Sequence, residues 1–182
     1  MPRPPPMTIR NRPSWVSGVA ALALALLAGL WAWSHFRAEA RVRRATERIV
    51  RLVQKTAAEA PVALGLSGHR LGAHLAQGAV LEVEGSRILL TGRPEIVQFH
   101  VQVRDACERI EFTEARISVS AAGPGEIRAD VEARYRFVAV GGTEIAGRGQ
   151  AELRWIRGED GWRIGRARLT PDPRAALPEG WP

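Results

Sequence analysis

The longest apolar stretch of the chain lies near the N-terminus, at 15–36, and contains no charged side chain. Its length is sufficient for a helix that crosses a hydrocarbon core of about 30 Å. Aromatic residues lie near both of its ends, and Arg12 and Arg37 flank it, as is typical of membrane interfaces. The pattern predicts a transmembrane helix over 15–36, preceded by a basic, Pro-rich tail at 1–14. The alternative is a cleaved signal peptide with Ala38-Glu39-Ala40 as its cleavage site, which the bulky and charged residues before that site disfavour.

Helical periodicity continues over 37–60 and separates two kinds of side chain. Apolar residues recur at steps of three and four on one face, at Val42, Ala45, Ile49 and Leu52. Basic residues follow similar steps on another face: Arg37, Arg41, Arg44, Arg48, Arg51 and Lys55. This basic stripe is predicted to contact anionic headgroups or a partner's acids, at about 1 kcal/mol per charge near an anionic leaflet. A solvated face beside a packed one is the alternative, and the two interpretations are compatible.

The net charge of +7 is confined to the N-terminal third of the chain. Before Pro61 there are ten basic and three acidic residues, whereas sixteen of each cancel from Pro61 onward. Such a distribution is typical of a membrane-flanking segment, so no nucleic-acid partner is expected. The basic flank after the span favours a cytoplasmic domain on a single-pass protein of a prokaryotic inner membrane. A short basic N-terminal tail is also typical of anchors that export the domain, so the orientation stays open.

The last third of the chain alternates apolar and charged residues, as strands with one buried face do. The alternation predicts a long strand over 126–137, followed by strands over 145–155 and 162–169. Gly141-Gly142 and Asp160-Gly161 predict the turns between them. The pattern changes phase between Phe112 and Ile117, and again in the final strand. Both changes predict bulges in a strongly bent sheet.

The middle of the chain predicts shorter elements. Ser67 is expected to cap a helix that runs to about Gln77, and a strand is expected at 80–84. Pro94 at a first helical position predicts another helix, with one apolar face made of Ile96, Phe99, Val103 and Cys107. The same segment also alternates as a strand does, so a strand stays open there.

Helices followed by long strands predict an α+β fold, in which helices pack in a strongly curved antiparallel sheet over 61–170. A Pro-rich tail follows at 171–182. Two segments resemble nuclear transport factor 2-like domains, also called SnoaL-like or cystatin-like cone folds. The segment Leu90 to Ile96 is similar to the Gly-Arg-x-x-Ile start of their third helix, and Leu153 to Ile164 to their closing hairpin. The resemblance implies a cone with an interior pocket, frequent homodimers through the open sheet face, and roles from isomerase or cyclase to noncatalytic scaffold.

Four side chains are candidates for lining such a pocket: Tyr135, His100, Trp155 and Trp162. Tyr135 and His100 have polar atoms that need a partner or a ligand, although a satisfied core tyrosine and a boundary histidine are the simpler interpretations. Asp130 and Glu132 alternate outward, so the acid and base of an isomerase are not visible on this strand, and catalysis is not expected. No spacing predicts a metal site or a cofactor. The lone cysteine is expected to be a small buried apolar residue.

The leading hypothesis is a membrane-anchored, noncatalytic interaction or assembly domain of a bacterial envelope complex, resembling anchored nuclear transport factor 2-like subunits of secretion assemblies. Its partners would be the lipid bilayer and a second copy or complex subunits. These would bind the mixed-charge outer sheet face: Arg128, Asp130, Glu132, Arg134, Arg136, Arg148, Glu152 and Arg154. The alternative is a small-molecule-binding or isomerase/cyclase-like protein that uses the cone interior as a pocket.

Overall fold

A computed structural model describes residues 37–86 and 88–172 of the 182-residue chain. Within these ranges the helices are α1 (37–53), α2 (Pro61–Gly72) and α3 (Arg93–Ala106). The strands are β1 (Leu75–Val83), β2 (Leu89–Thr91), β3 (Cys107–Gly123), β4 (Glu126–Ala139), β5 (Glu144–Gly158) and β6 (Gly161–Thr170). The predicted transmembrane span lies outside the described residues. Among the helices described, none is both long enough and apolar enough to cross a membrane.

The strands form one sheet in the order β2-β1-β6-β5-β4-β3. The long strands β3 to β6 pair antiparallel, as the alternating pattern predicts, but β1 and β6 pair parallel. The prediction of a wholly antiparallel sheet is therefore wrong, and the sheet is mixed. Parallel neighbours require a long connection between them, which here consists of everything from β2 to β5. The α+β class is confirmed.

Two bulges bend the sheet where the sequence changes phase. The pairing of β3 with β4 shifts between Thr113 and Arg116, where Glu114 has a left-handed φ of 52°. The pairing of β5 with β6 shifts so that Arg154 faces Arg166 while the next residue, Trp155, faces Ile164. An extra residue in one strand raises the local twist and bends it, so both predicted bulges are confirmed.

The helix boundaries differ from the predicted ones in two places. α1 ends at 53 rather than near 60, and Lys55 then forms an isolated bridge with Ile110. α2 begins at Pro61, whose missing N–H costs nothing in a first helical turn. Ser67 therefore lies inside α2 rather than capping it, and the segment expected to continue this helix to about Gln77 is the start of β1 instead.

α3 confirms the helical interpretation of residues 93–106. It begins with a proline in its first turn, as predicted, and its buried side chains are Ile96, His100 and Arg104, four residues apart. α2 packs closely on it, because a methyl group added at Gly68 would lie 2.9 Å from Val101. The absence of a side chain at Gly68 therefore allows the two helix backbones to approach each other.

The core lies between the helices and the inner face of the sheet. Its largest fully buried side chains are those of Trp155, Ile110, Val42, Thr46 and Cys107. The prediction that Cys107 is buried is thus met, and burial raises the pKa of its thiol, against the opposing charge of Lys55. The outer face of the sheet carries the charged residues of the alternating pattern.

Candidate functional site

The guanidinium of Arg104 is buried between α3, the end of α1 and the segment before α2, and the residue is 3% exposed. Its Nη1 donates to the backbone carbonyls of Leu52, Val53 and Gln54 at 2.8–3.0 Å. Its Nε and Nη2 donate to both carboxylate oxygens of Glu59. The arginine of α3 therefore caps the C-terminal end of α1, where the unpaired carbonyls carry partial negative charge.

Lys55 makes the reciprocal contact. It is 5% exposed, and its Nζ donates to the carbonyl of Arg104 at 2.6 Å and to that of Cys107 at 2.5 Å, at the end of α3. The prediction that Lys55 belongs to the membrane-facing basic stripe is therefore wrong. The helix that would have aligned it with the arginines ends at 53, so Lys55 turns inward and caps α3.

The remaining stripe residues lie on the surface of α1. Arg37, Arg41, Arg44, Arg48 and Arg51 are all exposed. Their contact with a membrane stays a prediction.

His100 lies in the core, 7% exposed, and shares a hydrogen bond of 2.9 Å between its Nε2 and the hydroxyl of Ser67 in α2. Burial lowers the pKa of His100 to about 4, and the positive charge of Arg104 contributes in the same direction. The imidazole is therefore neutral at physiological pH. It links α2 to α3 and has the role of a satisfied core histidine rather than that of a pocket residue.

Tyr135 lies across a floor of glycine residues on β5. A methyl group added at Gly147 would lie 2.8 Å from the Tyr135 hydroxyl, and one at Gly149 would lie 3.3 Å from its ring. Burial raises the pKa of the phenol, while a hydrogen bond with the backbone of Asp172 opposes that shift. The two glycines therefore leave space for the tyrosine ring. The centroid of this ring lies 5.4 Å from that of Phe137.

The four predicted pocket residues do not line one cavity. Trp155 is fully buried, and its ring contacts the edge of His74 at a centroid distance of 6.5 Å. On β5 it lies eight residues from Gly147, the partner of Tyr135, which corresponds to about 27 Å along the strand. Trp162 is the second residue of β6 and pairs with Arg157. The predicted interior pocket is therefore not assembled from these side chains.

An open groove of about 490 Å³ lies instead where β6 ends beside β5 and β4. It has the size of a small-molecule site. Its lining is mostly polar and includes Ala133 and Gly149, the second of which lies against the Tyr135 ring. Lining it are Glu114, Arg116, Glu132, Ala133, Arg134, Arg148, Gly149, Gln150, Thr170, Pro171 and Asp172. Over the described part of the chain, no cluster of three or more His, Cys, Asp or Glu side chains could hold a metal ion.

Most arginines of the outer sheet face are matched by acids on the same or neighbouring strands. Arg128 contacts Asp130 at 2.8 Å and Glu152 at 3.3 Å. Comparable ion pairs join Arg134 to Glu114, Arg136 to Glu144, Arg154 to Glu152, and both Arg166 and Arg168 to Glu82. The face therefore compensates most of its own charge, partly between residues two apart on one strand and partly through the register of neighbouring strands.

Arg116 and Arg148, which line the groove, are exceptions to this pattern. Neither makes an ion pair with any residue that the structure describes. Arg148 lies directly opposite Arg134 on the neighbouring strand, an arrangement that places like charges side by side. The sequence placed Arg148 on the mixed-charge outer face without distinguishing it there, and it did not indicate Arg116. The neighbours of both residues depend on a register and a bulge that only the folded sheet defines.

No protein-family model matches this chain, and no curated protein matches it in sequence. Solved structures do match in fold. A nuclear transport factor 2-like protein with a cystatin-like fold from Novosphingobium aromaticivorans is 20% identical at a TM-score of 0.52, covering 83% of this chain and 90% of that one. An uncharacterised protein with a cystatin-like fold from Caulobacter vibrioides is 18% identical at a TM-score of 0.50, with 60% and 79% covered.

A further match is a candidate scytalone dehydratase from Novosphingobium aromaticivorans. It is 14% identical at a TM-score of 0.52, covering 65% of this chain and 85% of that one. At such identities the likeness is one of fold. The chain therefore has the cystatin-like fold of nuclear transport factor 2-like proteins, as the resemblance of its two segments implies.

Proposed function

We propose that this protein binds a small molecule with an anionic group in the groove beside Tyr135. The observation that carries the proposal is the pair Arg116 and Arg148. They line a concavity of small-molecule size and have no acid partner among the described residues, on a face where most other arginines have one. Glu114, Glu132 and Asp172 also line the groove, but none forms an ion pair with either arginine. A bound carboxylate or phosphate would accept hydrogen bonds from these two guanidinium groups.

The rest of the lining supports the same ligand class. Gln150 and Thr170 face each other across β5 and β6 within the groove. The Thr170 hydroxyl donates to Glu84 at 2.7 Å. The Gln150 amide donates to Glu132 at 3.4 Å, which leaves its second N–H and its carbonyl for polar groups of a small molecule. Ala133, Gly149 and Pro171 provide apolar surface for its carbon skeleton. The candidate scytalone dehydratase among the structural neighbours indicates that small-molecule chemistry is one use proposed for this fold.

The assembly role predicted from the sequence has less support. A protein partner on the outer sheet face would meet arginines that already contact acids of this chain, such as Arg128 with Asp130 at 2.8 Å. Desolvating such pairs costs free energy unless the partner replaces their contacts. A homodimer or complex through this face therefore stays a proposal of second rank, which the oligomeric state of the full chain in detergent would test.

The groove proposal is tested with an aromatic carboxylate and its neutral counterpart. We expect 2-naphthoate to raise the melting temperature of the full chain and 2-naphthamide to leave it unchanged. Loss of a charge-assisted contact at Arg116→Gln or Arg148→Gln should weaken naphthoate binding about ten-fold each. Arg157→Gln is the matched control, because this exposed arginine lies at the far end of β5. Equal stabilisation by the acid and the amide, or in both groove variants, would contradict the proposal.

A further inference from the structure

α1 carries a group of arginines whose charge nothing in the described chain neutralises. Arg41, Arg44, Arg48 and Arg51, the α1 arginine face, are all exposed, and none forms an ion pair with a residue that the structure describes. Arg44 donates only to the backbone carbonyl of Ala40, at 3.2 Å. With 3.6 residues per turn, the four side chains fall within about 80° of arc and about 15 Å of helix length.

The buried side chains of α1 fix how this helix is oriented on the domain. Val42, Ala45, Thr46 and Ile49 are each at most 8% exposed, so this face of α1 is buried in the domain. Their direction differs from that of the α1 arginine face by about 130° around the helix axis. The Arg43 side chain, which lies between the two faces, donates to the carbonyl of Ile117 at 2.9 Å and so ties α1 to β3. The arginines are thus held pointing outward on a helix that cannot roll to hide them.

We infer that the α1 arginine face lies against an anionic lipid surface. The occupant follows from what precedes the helix in the chain. Residues 15–36 form an uncharged apolar stretch that ends directly before α1, and the inference rests on this stretch entering the bilayer. With α1 lying along the membrane surface, headgroup phosphates would be within reach of all four side chains, and arginine provides bidentate donors for phosphate.

The test measures the reactivity of each arginine with phenylglyoxal in the unmodified full chain, followed by peptide mass spectrometry. The chain is reconstituted in vesicles of phosphatidylcholine alone or of phosphatidylcholine mixed with phosphatidylglycerol. We expect Arg41, Arg44, Arg48 and Arg51 to react about five-fold more slowly in the anionic vesicles. This factor corresponds to ~1 kcal/mol per arginine when a factor of ten is about 1.4 kcal/mol.

Arg70 on α2 and Arg157 on β5 are internal controls, because both are exposed and lie off α1. Their reactivity should be the same in both kinds of vesicle. Equal reactivity of the α1 arginine face in both vesicles would overturn the inference, and so would an equal slowing at the two controls. Protection of the same four residues by an oligonucleotide or by inorganic polyphosphate, with the chain in neutral detergent, would assign the face to a soluble polyanion instead of lipid.

Discussion

The outer sheet face and the exposed face of α1 use arginine in opposite ways. On the sheet, Arg128, Arg136 and Arg154 each contact a carboxylate within 3.0 Å. The acid lies two residues away on the same strand for Arg128 and Arg154, and on the neighbouring strand for Arg136. On α1, four arginines project from one face without an ion pair to any residue described. Most arginines of the sheet face therefore have an acid partner within the chain, whereas the α1 arginine face has none among the described residues.

Among the described residues, the outer sheet face itself contains both paired and unpaired arginines, and two of the unpaired ones lie in the groove. Arg116 and Arg148 lie on the compensated face and yet have no acid partner among the described residues. Exposed ion pairs contribute only about 0–1 kcal/mol each, so their absence is not a stability argument. What these arginines provide is guanidinium groups that no acid of the described residues contacts, and in both places we propose an anionic ligand for them.

The largest expected effect concerns a compensated arginine that is also buried. Arg104→Met should lower the free energy of unfolding by about 3–5 kcal/mol, because it leaves the Glu59 carboxylate and three carbonyls of α1 without their donor. Urea unfolding of the full chain in detergent, followed by tryptophan fluorescence, measures the change. Arg44→Met is the matched control and should stay within about 0.5 kcal/mol of the parent. Similar losses of unfolding free energy in the two variants would contradict the distinction between Arg104, which is buried and paired, and Arg44, which is exposed and has no ion pair among the described residues.

A second, smaller effect on the free energy of unfolding comes from protonating the buried His100, which places an unpaired positive charge in the core. Burial lowers the pKa of His100 to about 4, below its ordinary value of 6.5, so the unfolded chain binds more protons between these two values. Stability is therefore lost as the pH falls below 6.5, and His100 contributes a loss of up to about 3 kcal/mol by pH 4.

The measurement is the free energy of unfolding at several pH values for the parent and for His100→Gln. We expect the variant to be less stable at neutral pH, since its fit against Ser67 is poorer, but to lose less stability on acidification. His69→Gln changes an exposed histidine of α2 and should leave the pH dependence as it is. An unchanged acid dependence in His100→Gln would show that other groups cause it.

The smallest effect on stability should come from removing one carboxylate from the ion pairs of the outer sheet face. Glu82 accepts hydrogen bonds from Arg166 at 3.0 Å and from Arg168 at 3.3 Å, and the Arg166 hydrogen bond is the largest cause of its lowered pKa. Glu82→Gln should destabilise the fold slightly and make Arg166 and Arg168 react faster with phenylglyoxal. The hydrogen bonds from Arg166 and Arg168 to Glu82 stabilise the fold at pH values above the ordinary pKa of a glutamate. This stabilisation is lost as the pH falls and Glu82 is protonated.

High salt should remove the difference between Glu82→Gln and the parent, because it screens exposed charges. Glu108→Gln is the control, since Glu108 is exposed and has no ion pair with a residue described. No gain in reactivity at Arg166 and Arg168 would mean that these pairs do not cover the arginines in solution.

Several elements were predictable from local pattern alone. The strand at Glu126–Ala139 follows from strict alternation, and the bulge near Glu114 follows from a change of phase in that alternation. The start of α3 follows from a proline suited to a first helical turn. Each of these features depends on residues within a few positions of one another, so the sequence contains all the necessary information.

Other features depend on residues that are far apart in the chain. Lys55 has the spacing of the basic stripe, yet it is buried because the end of α3, some fifty residues later, offers carbonyls to its Nζ. The parallel pairing of β1 with β6 and the isolation of Arg148 opposite Arg134 likewise depend on strand order and register. Periodicity determined which side chains share a face of one element. Only the tertiary structure decided which faces meet, because hydrogen bonds and ion pairs depend on distances in space and not on spacing along the chain.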